Sequence, residues 1–317
     1  MRQPGRLLAL ALALASLTAL AGGTSYGSLS TYGLPSPTSQ PLDIVVAPDG
    51  NVWFTESSDS WRKVARRDTQ GKLTEFPVPE APSHITVGSD NNIWFTMNTS
   101  IGRLTPAGAL TVFTPVNQYG LTSFPRDIAS GPDGNLWFTM GSYVIKMTTA
   151  GAMTWYLVSN PYPPNLQGIT AGPDGAMWFA DYENNMIGRI DMNGNITQFG
   201  PVFVTYDGPA NVGAGPDGNV WFTCPFSSTI GRITPTGIIT LFPLGGSLGP
   251  ENLRAGPDGN LWFTEYLGNK LSRMTPDGVV TDVVTVNGAD GLARGVGNTL
   301  WVTHRDEGKI SKFTLAP

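Results

Sequence analysis

Ala255-Gly256-Pro257-Asp258-Gly259-Asn260-Leu261-Trp262-Phe263-Thr264-Glu265 is the stretch that decides the fold. Near-copies run through the whole chain, with the tryptophan at positions 53, 94, 137, 178, 221, 262 and 301. The intervals are 41, 43, 41, 43, 41 and 39 residues, so one unit of about forty residues is written seven times. Self-similarity at this period, carried by short alternating strands, is the pattern of β-propeller blades of about four strands each.

Working outward, Asn252 to Ala255 reads as a first strand, Gly256 to Asn260 as a hairpin turn, and Leu261 to Thr264 as a second strand. Lys270 to Thr275 then reads as a third strand, Pro276-Asp277-Gly278 as a turn, and Val279 to Val283 as the outer strand. The expected fold class is therefore all-β, a seven-bladed propeller with four strands per blade. The seventh unit stops after its third strand, Ile310 to Phe313. Its fourth strand is found at the other end of the chain, where Leu29-Ser30-Thr31-Tyr32 matches outer strands such as Leu73-Thr74-Glu75-Phe76. Pairing of that segment with the last blade would close the ring and cover an open sheet edge.

The first 21 residues are written differently, with Arg2 and Arg6 ahead of an apolar run from Leu7 to Ala21. This reads as a signal peptide over residues 1–21, cleaved before Gly22, followed by one propeller domain over residues 22–317. The expected location is exported, periplasmic or extracellular, and no later stretch is apolar enough to span a membrane. A single cysteine, Cys224, excludes an internal disulfide framework. A formal net charge of −5, with no basic cluster, points away from nucleic acid. The mature chain is expected to be a monomer.

Three recurrent features take structural readings. Asp-Gly between two strands is a hairpin signal, and its spacing does not fit an EF-hand calcium loop. The Trp-Phe pairs, repeated in six blades, suit packing between blades. The basic residue of every third strand, Arg66, Arg103, Lys146, Arg189, Arg232, Arg273 and Lys312, suits pairing along the blade flanks.

Function in a propeller sits where the copies disagree, at the mouth of the central channel. Two variable places occur in the Pro-x-x-Ile frame that leads into each inner strand; they include Asp43, His84, Arg126, Asp127, Asn211, Glu251, Asn252 and Asp290. A third follows Trp-Phe-Thr, and holds Glu56, Asp181, Cys224, Glu265 and His304 among others. Asp43, Glu56, His84, Arg126, Asp127, Asp181, Asn211 and Asn252 are the expected ligand-binding rim. Blades six and seven add Glu251, Glu265, Asp290 and His304. Carboxylates beside an imidazole suit either a divalent cation, with Glu251 and Glu265 as ligands, or an acid/base pair of Asp290 and His304. The alternative is a solvated polar rim. Cys224 reads as a buried, inert thiol, with no histidine in the same or an adjacent blade.

The units Ile169 to Ala180, Asn185 to Ile190 and Leu73 to Pro79 resemble those of the streptogramin B lyases, also called virginiamycin B lyases, over essentially the whole mature chain. That resemblance implies a seven-bladed propeller and a Mg²⁺-dependent elimination that opens a cyclic depsipeptide at its ester. It also places a histidine where this chain has Glu251, Glu-Pro-His in a loop that here carries Gly288 and Asp290, and a glutamate where this chain has His304. All of those positions differ. The resulting expectation is an exported module that binds a small molecule, peptide or extracytoplasmic protein at the channel mouth. The alternative is a divergent metal-dependent lyase or lactone/ester hydrolase.

Overall fold

The computed structural model describes residues 26–116, 123–160, 162–202, 207–246 and 248–317. The proposed signal peptide and its cleavage point lie outside them. The described residues form seven sheets of four antiparallel strands each, with no helix. The expected ring closure is present: Gly27–Gly33 pairs antiparallel with Lys309–Leu315, in a register that sets Leu29 against Phe313 and Thr31 against Ser311. The last sheet is thus made of Ala289–Arg294, Thr299–His304, Lys309–Leu315 and the N-terminal strand.

The repeated words each have a visible task. In Gly-Pro-Asp-Gly the second glycine takes a positive φ, 74° at Gly259, which lets the hairpin turn without strain. The aspartate does more than turn the chain. Asp258 Oδ1 accepts a hydrogen bond from Trp262 Nε1 at 2.9 Å, and its Oδ2 faces Arg273 Nη1 at 3.3 Å. The same indole bond recurs at Trp94, Trp137, Trp178 and Trp221. In blades three to six the basic residue of the third strand therefore pairs with the turn aspartate, as Lys146 does with Asp133 and Arg189 with Asp174. In several blades it also lies over the tryptophan, at 5.3 Å from the ring for Arg66.

Strand alternation sorts the core. Trp and Thr of Trp-Phe-Thr share one face and point to the following blade, so Trp94 packs with Ile128, Leu136 and Phe138 of blade three. Phe and the residue after Thr point back, so Phe95 and Met97 pack with Trp53 and Val64 of blade one. Aromatic residues of the outer strands stack on the tryptophans, as Phe76 does on Trp53 and Tyr32, from the N-terminal strand, on Trp301. The large aromatics at these positions are almost wholly buried in blades one to six, and they carry the hydrophobic contribution to the ring.

Inner strands are bulged. Pro41 pairs with Glu56 and Ile44 with Phe54, so residues 42 and 43 stand opposite Thr55 alone, and equivalent register shifts occur in blades two, three, four, six and seven. A bulge of this kind re-aims side chains next to functional sites. The threonine opposite it relays a hydrogen bond between blades. Asp43 N donates to Thr55 Oγ1 at 3.0 Å, and Thr55 Oγ1 donates to Ser83 O of blade two at 2.7 Å. Thr96, Thr139, Thr223, Thr264 and Thr303 repeat the relay, the last returning to Leu42 O of blade one. Blade four has Ala180 instead of threonine. There Gly168 N donates directly to Ala210 O at 2.8 Å, a close approach that a Cβ, 2.8 Å from Asn211 Cα, would obstruct.

Candidate ligand pocket and channel mouth

The bulged pairs line the mouth of the channel, and their side chains fall into distinct groups. In blades one to three, His84 stands between two aspartates: its Nδ1 is 3.7 Å from Asp43 Oδ2 and 3.6 Å from Asp127 Oδ1. Both carboxylates are already engaged by backbone. Asp43 accepts from Ile44 N at 2.8 Å and from Ile85 N of the next blade at 2.9 Å, while Asp127 accepts from Ile128 N and from Ile169 N of blade four. Burial pulls the His84 imidazole down, but the charges of Asp127 and Asp43 outweigh it and hold the group up to about 9. The histidine is therefore a cation at neutral pH, held between two carboxylates that each bridge a seam between blades. Across the ring, Asn211 Nδ2 donates to Asn252 Oδ1 at 3.3 Å.

Glu251 and Asp290 occupy the neighbouring places of blades six and seven. Asp290 is pushed up to about 6 by burial, although Arg305, with Nη1 3.4 Å from Asp290 Oδ2, acts the other way. Burial and the charge of Asp290 push Glu251 up to about 7, against Arg305 and His84. No described residue donates a hydrogen bond to the Glu251 carboxylate.

Glu251 faces a pocket of about 640 Å³ that opens over blades four, five and six. Tyr182, Phe226, Tyr266 and Leu267 form its walls, and Asn165 and Gln167 join Glu251 as polar lining. Tyr182 and Phe226 lie with ring centroids 6.3 Å apart. Phe226 is 80% exposed and Leu267 61%, so the apolar wall opens to solvent. The volume falls within the range of small-molecule sites. These aromatics escape a reading of the repeat alone. Their signal is the loop after Trp-Phe-Thr-x, which reads Ser57-Ser58, Asn98-Thr99 and Gly141-Ser142 in blades one to three but Tyr182, Pro225-Phe226 and Tyr266-Leu267 in blades four to six.

The residues that follow Trp-Phe-Thr are placed elsewhere. By strand alternation they point back at the preceding blade, and Glu56, Asp181, Cys224, Glu265 and His304 are all buried. Asp181 ties down its own loops, accepting from Asn160 Nδ2 at 2.6 Å and Asn184 Nδ2 at 2.9 Å. His304 Nε2 is hydrogen-bonded to Ser311 Oγ at 2.6 Å, and burial pulls its imidazole down to about 4. Burial also raises Glu265. The Cys224 thiol is raised well above the thiol range by burial and by Asp207, as suits an inert group. The structure thus separates the four residues expected to converge: Glu251 and Asp290 stay at the mouth, whereas Glu265 and His304 are sealed between blades. Among the described residues no group of three or more His, Cys, Asp or Glu side chains is arranged to hold a metal ion, and the burial of Glu265 sets it apart from Glu251 at the mouth. Arg126 is exposed.

Comparison with known proteins agrees with the fold and narrows the lineage. The family model described as the Virginiamycin B lyase family matches residues 9–162 and 116–316. A selenomethionine-substituted virginiamycin B lyase from Staphylococcus aureus is 32% identical, with a TM-score of 0.84 over 91% of this chain and 99% of that one. A catalytically inactive histidine-to-alanine variant of virginiamycin B lyase from the same organism, with quinupristin, is 31% identical, with a TM-score of 0.83 over 91% and 99% of the two chains. A streptogramin B lyase structure is 30% identical, with a TM-score of 0.81 over 91% and 97%. Comparison with curated protein sequences gives no significant match.

Proposed function

The chain belongs to the virginiamycin B lyase family, and within it we propose a binding role: an exported propeller that captures a small molecule or peptide in the pocket over blades four to six. The observation that carries this reading is the pairing of an open aromatic pocket with two histidines that are both already engaged, one at the mouth and one between blades. His84 is held by Asp43 and Asp127, His304 by Ser311, and Asp290 by Arg305. Catalysis by proton transfer needs a base that can reach a substrate and accept its proton. A protonated imidazole locked between two carboxylates is unsuited to that task. Glu251 stands where the family resemblance puts a histidine.

The test is a titration of the purified chain with quinupristin, with and without chelator, followed by mass analysis of the antibiotic. Binding that survives chelator, weakens in Phe226→Ala and leaves the ring closed supports the binding role. A linearised product overturns it.

One observation favours the second reading, a divergent metal-dependent lyase: the 30–32% identity to lyases over 91% of the chain. On that reading Asp290, raised to about 6 by burial, is the group suited to take a proton. Product formation that requires added Mg²⁺ and disappears in Asp290→Ala would establish it. Export is checked by the mass of the mature chain, which should begin at Gly22.

A further inference from the structure

Charge is distributed unevenly among the acids of the channel mouth. Asp43 and Asp127 each accept backbone hydrogen bonds from two blades and flank His84. Asp290 has the guanidinium of Arg305. Glu251 alone of the four has a carboxylate that no described residue supplies with a donor, and it is the one that lines the pocket. Glu251 is half-buried, and a carboxylate with no donor facing a pocket is open to pairing with a cation.

The walls above it are suited to the same guest. Tyr182, Phe226 and Tyr266 line the pocket, and aromatic rings attract cations. Tyr266 already takes one, since the Arg305 guanidinium lies 5.8 Å from its centroid. Aliphatic ammonium groups with apolar substituents match both features, because they combine a positive charge with a surface that rings can cover. Anions are disfavoured by the same charge.

We propose that this pocket selects small organic amines: an ammonium group placed against Glu251, with its apolar substituents held among Tyr182, Phe226, Tyr266 and Leu267. The proposal rests on the reading of this pocket as the binding site and adds the chemical class of the guest. It also gives a reason for the glutamate in a place where the family resemblance puts a histidine: the position serves recognition by charge.

Three probes of similar size decide it by calorimetric titration of the full mature chain near pH 8: benzyltrimethylammonium, 2-phenylethanol and phenylacetate. The ammonium is expected to bind at least about tenfold more tightly than the alcohol, about 1.4 kcal/mol, with phenylacetate weakest. Glu251→Gln should bring ammonium and alcohol within about twofold of each other and leave the alcohol unchanged. Ammonium affinity should fall as the pH is lowered through 7, because Glu251, faced by Asp290, Arg305 and His84, then takes up a proton. Equal binding of all three probes, sensitive to Phe226→Ala, overturns the charge selectivity and leaves the pocket as a binding site. Retention of the ammonium preference in Glu251→Gln also overturns it. Binding of none, or binding insensitive to Phe226→Ala, overturns the pocket reading and the proposal together.

Discussion

Thr31 Oγ1 and Ser311 Oγ lie 2.8 Å apart although 280 residues separate them. That hydrogen bond marks the seam where the two ends of the chain are joined in one sheet. Seven residue pairs, from Gly27 with Leu315 to Gly33 with Lys309, extend the seam on either side of it. Removing residues 27–33 strips the seventh blade of its outer strand and unstacks Tyr32 from Trp301. The truncated chain is expected to melt about 10 °C or more below the intact one, measured by circular dichroism. An unchanged melting curve would show that the closure contributes nothing.

The turn aspartates are not equivalent, and mutation should separate them. Asp258 holds Trp262, Arg273 and Asn260, whereas Asp49 accepts only from Asn51, with no bond to the indole of Trp53. Asp258→Ala is expected to cost about 2 kcal/mol and Asp49→Ala under about 1 kcal/mol, because a hydrogen bond to a charged acceptor contributes most when it is partly buried. Urea denaturation of the two variants checks the difference.

Both histidines of the chain titrate far from the usual range and in opposite directions. Nuclear magnetic resonance of the imidazole protons should show one midpoint at about 9, lost in His84→Gln, and another at about 4. The linkage follows. His84 is raised in the folded chain, so its stabilising contribution is complete below 6.5 and is lost as the pH rises through about 9. His304 is depressed, so its contribution is present above 6.5 and is lost as the pH falls through about 4. Two midpoints near 6.5 would contradict the charge assignment at both sites.

Glu56 is buried with Glu75 beside it, and burial pushes its carboxyl up to about 7, with the charge of Glu75 adding to the shift. A carboxyl raised in this way favours the fold below its unfolded value of 4.5, and that contribution is lost as the pH rises through about 7. Glu56→Gln should therefore be more stable than the natural chain at pH 8.5, by about 2 kcal/mol, with the advantage shrinking toward pH 5. Chemical denaturation at the two pH values tests this. A variant less stable at both would mean that the carboxylate serves the fold in its charged form.

What could be read in advance depended on how often it was repeated. The seven tryptophans specified the blade count, and the likeness of Leu29 to Tyr32 to the outer strands specified the closure, because each rests on local pattern repeated many times. The orientation of Glu265 and His304 was harder. They follow a threonine that faces the next blade, and alternation by one residue turns them away from the mouth, so adjacency in sequence gave the wrong neighbourhood. His84, Asp43 and Asp127 were recognisable as mouth residues, but their union across three blades depends on bulges that no single blade displays as such. The pocket aromatics lay in a loop whose role in the repeat is only to turn, and their message was a departure from polar residues at the same place in other blades.

The threonine relay gives the ring a direction. At each of six seams a backbone amide donates to the hydroxyl, and the hydroxyl donates onward to the next blade's carbonyl, always with the same sense. A hydroxyl has one proton to give, so each relay is saturated by its forward bond. At the remaining seam Gly168 passes the bond on directly. The channel is thus encircled by a one-way circuit of seven links in which loss at any seam leaves an orphaned donor and an orphaned acceptor in different blades. A blade cannot be dropped or duplicated at no cost to its neighbours, and a mutation at one threonine is felt both in its own blade and in the blade that follows it.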